Sequence, residues 1–232
     1  MAIRWTAQVT ALLLGLFVAV TPAGADTRPV VVELFTSQGC SSCPPADAFL
    51  AELARRDGVL ALGFHISYWD RLGWKDPLSS RSSTDRQKVY AQRLSGGQVY
   101  TPQIVVDGTD EMVGSDRASV LAALSAAHPQ ALAPVTFAAD RRSVAVGAGA
   151  GKGEIVLVRF LRHRTTEVVA GENSGRIAND FNGVESLTKL GEWVGEKLDF
   201  PIEPPAPGEG LAVLVQAPDG HMLGAAMVPG TG

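Results

Sequence analysis

The sequence predicts an α/β fold: a helix-and-strand part followed by a small, mostly antiparallel, β-sandwich-like part. Three observations carry that prediction. Residues 30–66 run strand, helix, strand. After residue 134 the texture changes to short strand-like runs between turns. Cys40-Ser41-Ser42-Cys43 holds the only two cysteines among 232 residues, and it sits where the first strand gives way to the first helix. A C-x-x-C in that position is the layout of a thioredoxin-like redox centre.

Each element has its own signal. Residues 30–36 are apolar and β-branched, as in a strand buried on both faces. Ala48, Phe49, Leu50, Leu53 and Ala54 form a helical stripe over 47–56 that ends at Gly58. Pro44 and Pro45 are comfortable only in a first helical turn, which sets the helix start near 40–43. Residues 59–66 read as a second strand, completing a right-handed βαβ unit. An irregular stretch over 68–86 leads into a helix over about 84–94, broken by Gly96-Gly97. Residues 103–106 form a strand ending at Asp107-Gly108, with 111–114 as hairpin partner. Ser115 is the expected cap of a helix over 116–127. Beyond Pro134, residues 135–137, 143–146, 154–161, 211–216 and 222–228 are strand-like, the last two forming a hairpin around Asp219-Gly220. The expected division is a signal peptide at 1–25, a thioredoxin-like domain at 26–131 and a small β-rich domain at 132–232.

The first residues read as an export signal. Arg4 precedes an apolar run at 11–20, and Ala23-Gly24-Ala25 fits a small-x-small cleavage site. The expected location is therefore periplasmic or secreted, where disulfides persist, with no membrane span after cleavage. The chain has 20 Lys+Arg against 24 Asp+Glu, a net charge of −4. Removing the signal takes away one Arg and no acid, so the mature surface is more negative still. That balance disfavours nucleic acid as a partner.

The chemistry centres on the cysteines. Cys40, expected at an accessible helix start, is the candidate attacking thiol, and Cys43 the resolving one. Amide groups at a helix start favour the thiolate that attacks disulfides. An inert structural disulfide and half of a metal site are competing readings; zinc would need two more strong ligands, and the four histidines are scattered. Thr101-Pro102 before a buried strand resembles a cis-proline loop, which packs beside such a C-x-x-C and offers its backbone to an extended substrate. Tyr68, Trp69 and Trp74 lie in a loop suited to lining a groove there; the competing reading has the rings cap the sheet while Asp70, Lys75 and Asp76 pair at the surface, and a mixture of the two is expected. His65, ending the second strand, and Glu33, within the first, are candidates for tuning the thiols or accepting their protons. Gly171-Glu172-Asn173 has turn chemistry and no assigned role.

Taken together these residues resemble the secreted bacterial family called domain of unknown function (DUF) family 1223. The matching text is Glu33 through Asp47, then Tyr68-Trp69-Asp70 with Gly73-Trp74-Lys75-Asp76, then Tyr100-Thr101-Pro102-Gln103, with echoes at Gly171-Glu172-Asn173 and Val215-Gln216. The resemblance implies a thioredoxin-like first domain, and an acid where this chain has Ser67.

The expected function is an exported thiol–disulfide oxidoreductase acting on a protein or small-molecule thiol or disulfide, with no cofactor and no resident metal. The alternatives are a non-catalytic periplasmic binding protein with a structural Cys40–Cys43 bond, and a copper carrier using both thiols with His65. The oxidoreductase reading requires that the Cys40 sulfur be reachable and that the Pro102 loop lie beside it.

Overall fold

The computed structural model describes Met1 and residues 27–228; apart from Met1, the expected signal peptide lies outside them. The elements are β1 (Val30–Thr36), α1 (Pro44–Leu53), β2 (Val59–His65), a short 3-10 turn (Asp70–Leu72), α2 (Arg81–Leu94), β3 (Gln103–Val106), β4 (Asp110–Val113), α3 (Arg117–Ala126), β5 (Val135–Phe137), β6 (Ser143–Val146), β7 (Gly153–Val168), β8 (Arg176–Trp193), β9 (Leu198–Pro201), β10 (Glu209–Gln216) and β11 (Met222–Val228).

β1 is buried at every position, as its unbroken apolar run demands. It pairs in parallel with β2, from Val30 opposite Val59 to Thr36 opposite His65, and antiparallel with β3 on its other side. Successive side chains of β1 then serve opposite faces. Val30, Val32 and Leu34 pack with Phe49, Leu50 and Leu53 of α1 and Val120 of α3. Val31 and Phe35 pack with Leu62 and Phe64 of β2 and Tyr90 of α2. The helices are thus split between the two faces. Asp107 and Gly108, both at positive φ, lie at the turn from β3 into β4, which Thr109 N–H closes by donating to Val106 O at 3.1 Å. Asp116, not Ser115, caps α3, accepting from the Ser119 N–H.

The C-terminal half is antiparallel and two-layered, yet its longer strands do not form a sheet apart from the first. β7, β8, β10 and β11 continue the first sheet, giving eight strands in the order β11-β10-β7-β8-β2-β1-β3-β4. The expected boundary near residue 131 divides the sequence but not this sheet. The seam is the parallel pair Gly63–Gly183 between β2 and β8. A Cβ on Gly183 would stand 2.9 Å from Leu78 Cδ1, and one on Gly63 3.2 Å from Leu50 Cδ2, so a side chain at either position would press on a leucine packed over the seam. Asn182 secures the seam by donating to the Ala61 carbonyl at 2.8 Å. The second layer is a three-stranded sheet, β5-β6-β9. Its core joins Val144, Val146 and Ile202 to Leu157, Trp193, Leu211 and Val213.

Candidate functional site

The segment between β1 and α1 folds back in two tight turns, with Cys40 N–H donating to Ser37 O and Cys43 N–H to Cys40 O. Cys40 and Cys43 are joined in a disulfide with Cα atoms 5.4 Å apart. Cys43 is the N-cap of α1, and Pro44 and Pro45 fill the first helical positions. Prolines carry no N–H. The helix start therefore offers its axial field to a thiolate, but fewer amide donors than its position in the sequence implies.

The Thr101–Pro102 bond is cis, and it lies against the disulfide. Thr101 Oγ1 donates to Cys40 Sγ at 3.3 Å and accepts from the Trp69 indole at 2.8 Å. Ser42 Oγ sits 3.3 Å from Cys40 Sγ and 3.4 Å from the Thr101 carbonyl, so its one proton serves one of them at a time. The prolyl loop is where the exchange reading needs it. The sulfur is not. Cys40 has 0 % exposure, as does Cys43, so the expectation of an accessible attacking sulfur does not hold in this oxidised form.

The cover is built from both halves of the chain. Trp69 lies over Gly39, 3.6 Å from where a Cβ there would stand. The tip of the β7–β8 hairpin, residues 169–175, seats against the Gly73–Trp74 corner, with Gly171 leaving only 3.0 Å between its notional Cβ and Trp74 Cβ. From this tip Asn173 donates to the carbonyls of Gln38 and Cys40 at 2.9 and 2.8 Å. Glu172 accepts from Ser41 N–H at 3.1 Å. The Gly171-Glu172-Asn173 triplet thus clasps the C-x-x-C loop, a role its turn chemistry alone did not disclose. Trp74 is tied to Gln38 Oε1 at 3.1 Å, and the Tyr68 hydroxyl is buried without a well-formed hydrogen bond. The expected aromatic loop does stand beside the disulfide, packed as a wall.

Beneath the wall lies a buried charged network. His65 Nδ1 meets Asp76 Oδ2 at 2.7 Å, and its Nε2 is 3.8 Å from Asp180 Oδ1. Gln38 donates through its side chain to Asp180 at 2.6 Å and through its backbone to Asp76 at 2.8 Å. Burial works against a charge on His65, but Asp76, Asp180 and Asp47 together outweigh it and lift the imidazole pKa to about 9. Asp76, expected at the surface, is buried. His65 is turned to carboxylates, so the copper reading loses the third ligand named for it.

Glu33 is committed elsewhere. It is buried on the α2 face of the sheet, where Arg86 and the Tyr90 hydroxyl hold its carboxylate. Asp47 lies one helical turn after Cys43, and its N–H donates to Cys43 O at 3.1 Å. Thr36 Oγ1 donates to the Asp47 carboxyl at 2.6 Å, and burial pushes its pKa up to about 7. Asp47 and Asp180 are the functional candidates that sequence reasoning passed over. Asp47 sits four residues after Cys43, the spacing that shares a helix face.

A family model described as "Protein of unknown function (DUF1223)" matches residues 31–216. The chain belongs to that family. Among solved structures, this DUF1223 chain is similar to protein AGR_C_4864 from Agrobacterium tumefaciens, at 30 % identity and a TM-score of 0.73, covering 90 % of this chain and 97 % of that one. It shares its fold at 13 % identity with HBP35 of Porphyromonas gingivalis, at a TM-score of 0.57, covering 89 % and 76 %. No curated protein matches it.

Proposed function

We propose that this DUF1223 protein is an exported thiol–disulfide exchange protein with a thioredoxin-like first half, seen with its centre closed. The observation that carries the reading is the cis Thr101–Pro102 loop lying on the Cys40–Cys43 disulfide, with Thr101 Oγ1 3.3 Å from Cys40 Sγ. The strand order β2-β1-β3-β4, with a prolyl loop opening β3, supports the fold assignment. The Arg4-led apolar leader supports export.

In the reducing direction the Cys40 thiolate attacks one sulfur of a substrate disulfide. A Cys40–substrate bond forms, the substrate bond breaks, and one substrate thiolate leaves. Cys43 then gives up its proton and attacks Cys40 sulfur, releasing the second substrate thiolate and closing the Cys40–Cys43 bond. The dithiol is oxidised and the substrate reduced by the same two electrons. Asp47, with a pKa near 7, is suited to take the Cys43 proton. Both directions require the Cys40 sulfur, at 0 % exposure, to be uncovered.

Equilibration with glutathione buffers tests the reading. A midpoint above about −300 mV, reached by the folded protein, supports exchange. The burial of Cys40 favours one rival, a binding protein in which the bond is structural. A midpoint far below that value, with reduction only on unfolding, would establish the rival.

A further inference from the structure

Between α1 and the start of β8 the structure holds a cleft of about 630 Å³. Its polar lining is short of donors. The carboxyl of Asp47 receives one hydrogen bond among the described residues, from Thr36. Asp180 receives Gln38 Nε2 on Oδ2, while its Oδ1 has only the imidazole at 3.8 Å. A carboxylate has about four lone-pair sites, so both have acceptor capacity to spare. Asn173 also lines the cleft and is 3 % exposed. Its Nδ2 is fixed by two carbonyls, Gln38 O and Cys40 O, which rules out the flipped amide. Its Oδ1 is then buried with no donor, a condition that costs stability.

We propose that this cleft binds a primary ammonium group carried on an aliphatic stem. An ammonium brings three N–H donors and no acceptor, which answers two carboxylates with acceptor capacity to spare and an amide oxygen with no donor. Ala48, Val168 and Phe181 supply an apolar wall for the stem. Arg176, the one cation among the lining residues, is exposed, where salt screens its repulsion. The groups that bear on Asp47 are His65, Asp76 and Asp180, and those that bear on Asp180 are His65, Gln38, Asp76 and Arg164. The raised pKa of Asp47, and that of Asp180, are what recessed carboxyls show without a full counter-charge. An arriving cation reverses this. Binding therefore expels protons near neutrality and tightens as pH rises from 6 to 8. Because Asn173 also holds the Cys40 carbonyl, the occupied cleft is joined to the C-x-x-C loop.

The inference does not depend on exchange chemistry, because binding is read on the oxidised full chain. Calorimetric titration compares n-pentylamine with n-pentanol. The amine binds and the alcohol does not. Asp47→Asn weakens the amine about tenfold, the effect of losing one charged acceptor. Ala48→Phe, on the exposed wall of the cleft, blocks binding while leaving every acid in place. Nα-acetyl-lysine methylamide separates the two sources: tighter binding than pentylamine assigns the site to polypeptide lysines, weaker binding to free amines. Equal response to amine and alcohol, or amine binding unchanged in both variants, overturns the proposal whatever the glutathione midpoint.

Discussion

If the hairpin tip guards the disulfide, Asn173→Ala should speed its reduction in the folded protein. The substitution removes the two hydrogen bonds from Asn173 Nδ2 to Gln38 O and Cys40 O. Each is worth about 1 kcal/mol net when buried. The same change deletes the donor-less Oδ1, which returns up to about 1 kcal/mol. The closed form should then lose roughly 1–2 kcal/mol against an open one, centred on a tenfold shift. In the regime where closing outpaces attack by millimolar dithiothreitol, the reduction rate follows the open population and rises about tenfold. The assay is timed quenching with an alkylating reagent and mass analysis, with a thermal melt to show that both proteins stay folded. Parent protein reduced as fast as an unstructured C-x-x-C peptide would refute the reasoning, because the cover would then protect nothing. So would an Asn173→Ala protein that melts earlier but is reduced at the parental rate.

Asp47 gives a pH signature. In the folded chain it keeps its proton to about pH 7, whereas an unfolded Asp releases it near 3.9. Between those values the folded state binds the extra proton, so this group's contribution to stability falls as pH rises through the window. Asp47→Asn abolishes that loss. Urea midpoints should place the variant progressively above the parent from pH 4 to pH 7, with a constant gap beyond; a pH-independent difference would contradict the burial argument. Arg86→Leu addresses the other carboxylate. It strands Glu33 in the core without its countercharge and should cost about 3–5 kcal/mol by denaturant unfolding, while the disulfide midpoint stays within about 10 mV. A larger shift in midpoint would return Glu33 to the redox centre.

The first half of the chain was largely legible because its signals are local. An all-apolar strand, a paired proline at a helix start and Thr-Pro before a strand each report on their own surroundings. β8 was missed because it carries no clean alternation: Arg176 to Trp193 mixes Asn, Asp, Gly and Lys, and its pairing with β7 shifts register near Ile155 and Arg159. β7 was cut short at 161 for a related reason, since its outer end, His163 to Glu167, is polar and mostly exposed. Without those two strands the sequence could not place Asn173 over Cys40, 133 positions away, or Asp180 beside Gln38, 142 positions away. Which neighbour satisfies a buried carboxylate is a long-range fact. Glu33 in β1 and Asp47 in α1 look equally close to the cysteines in the text, yet one faces Arg86 and the other Thr36.

The glycine seam at 63 and 183 also fixes what can be separated from what. A fragment ending near residue 131 would bare the outer backbone of β2, seven residues long and buried at six of them in the intact chain. Unshielded strand borders of that kind invite self-association. Such a fragment would also lose its guard over the sulfurs. The two portions share one sheet, and the carboxy-terminal strands lie along an edge that the amino-terminal portion would otherwise expose.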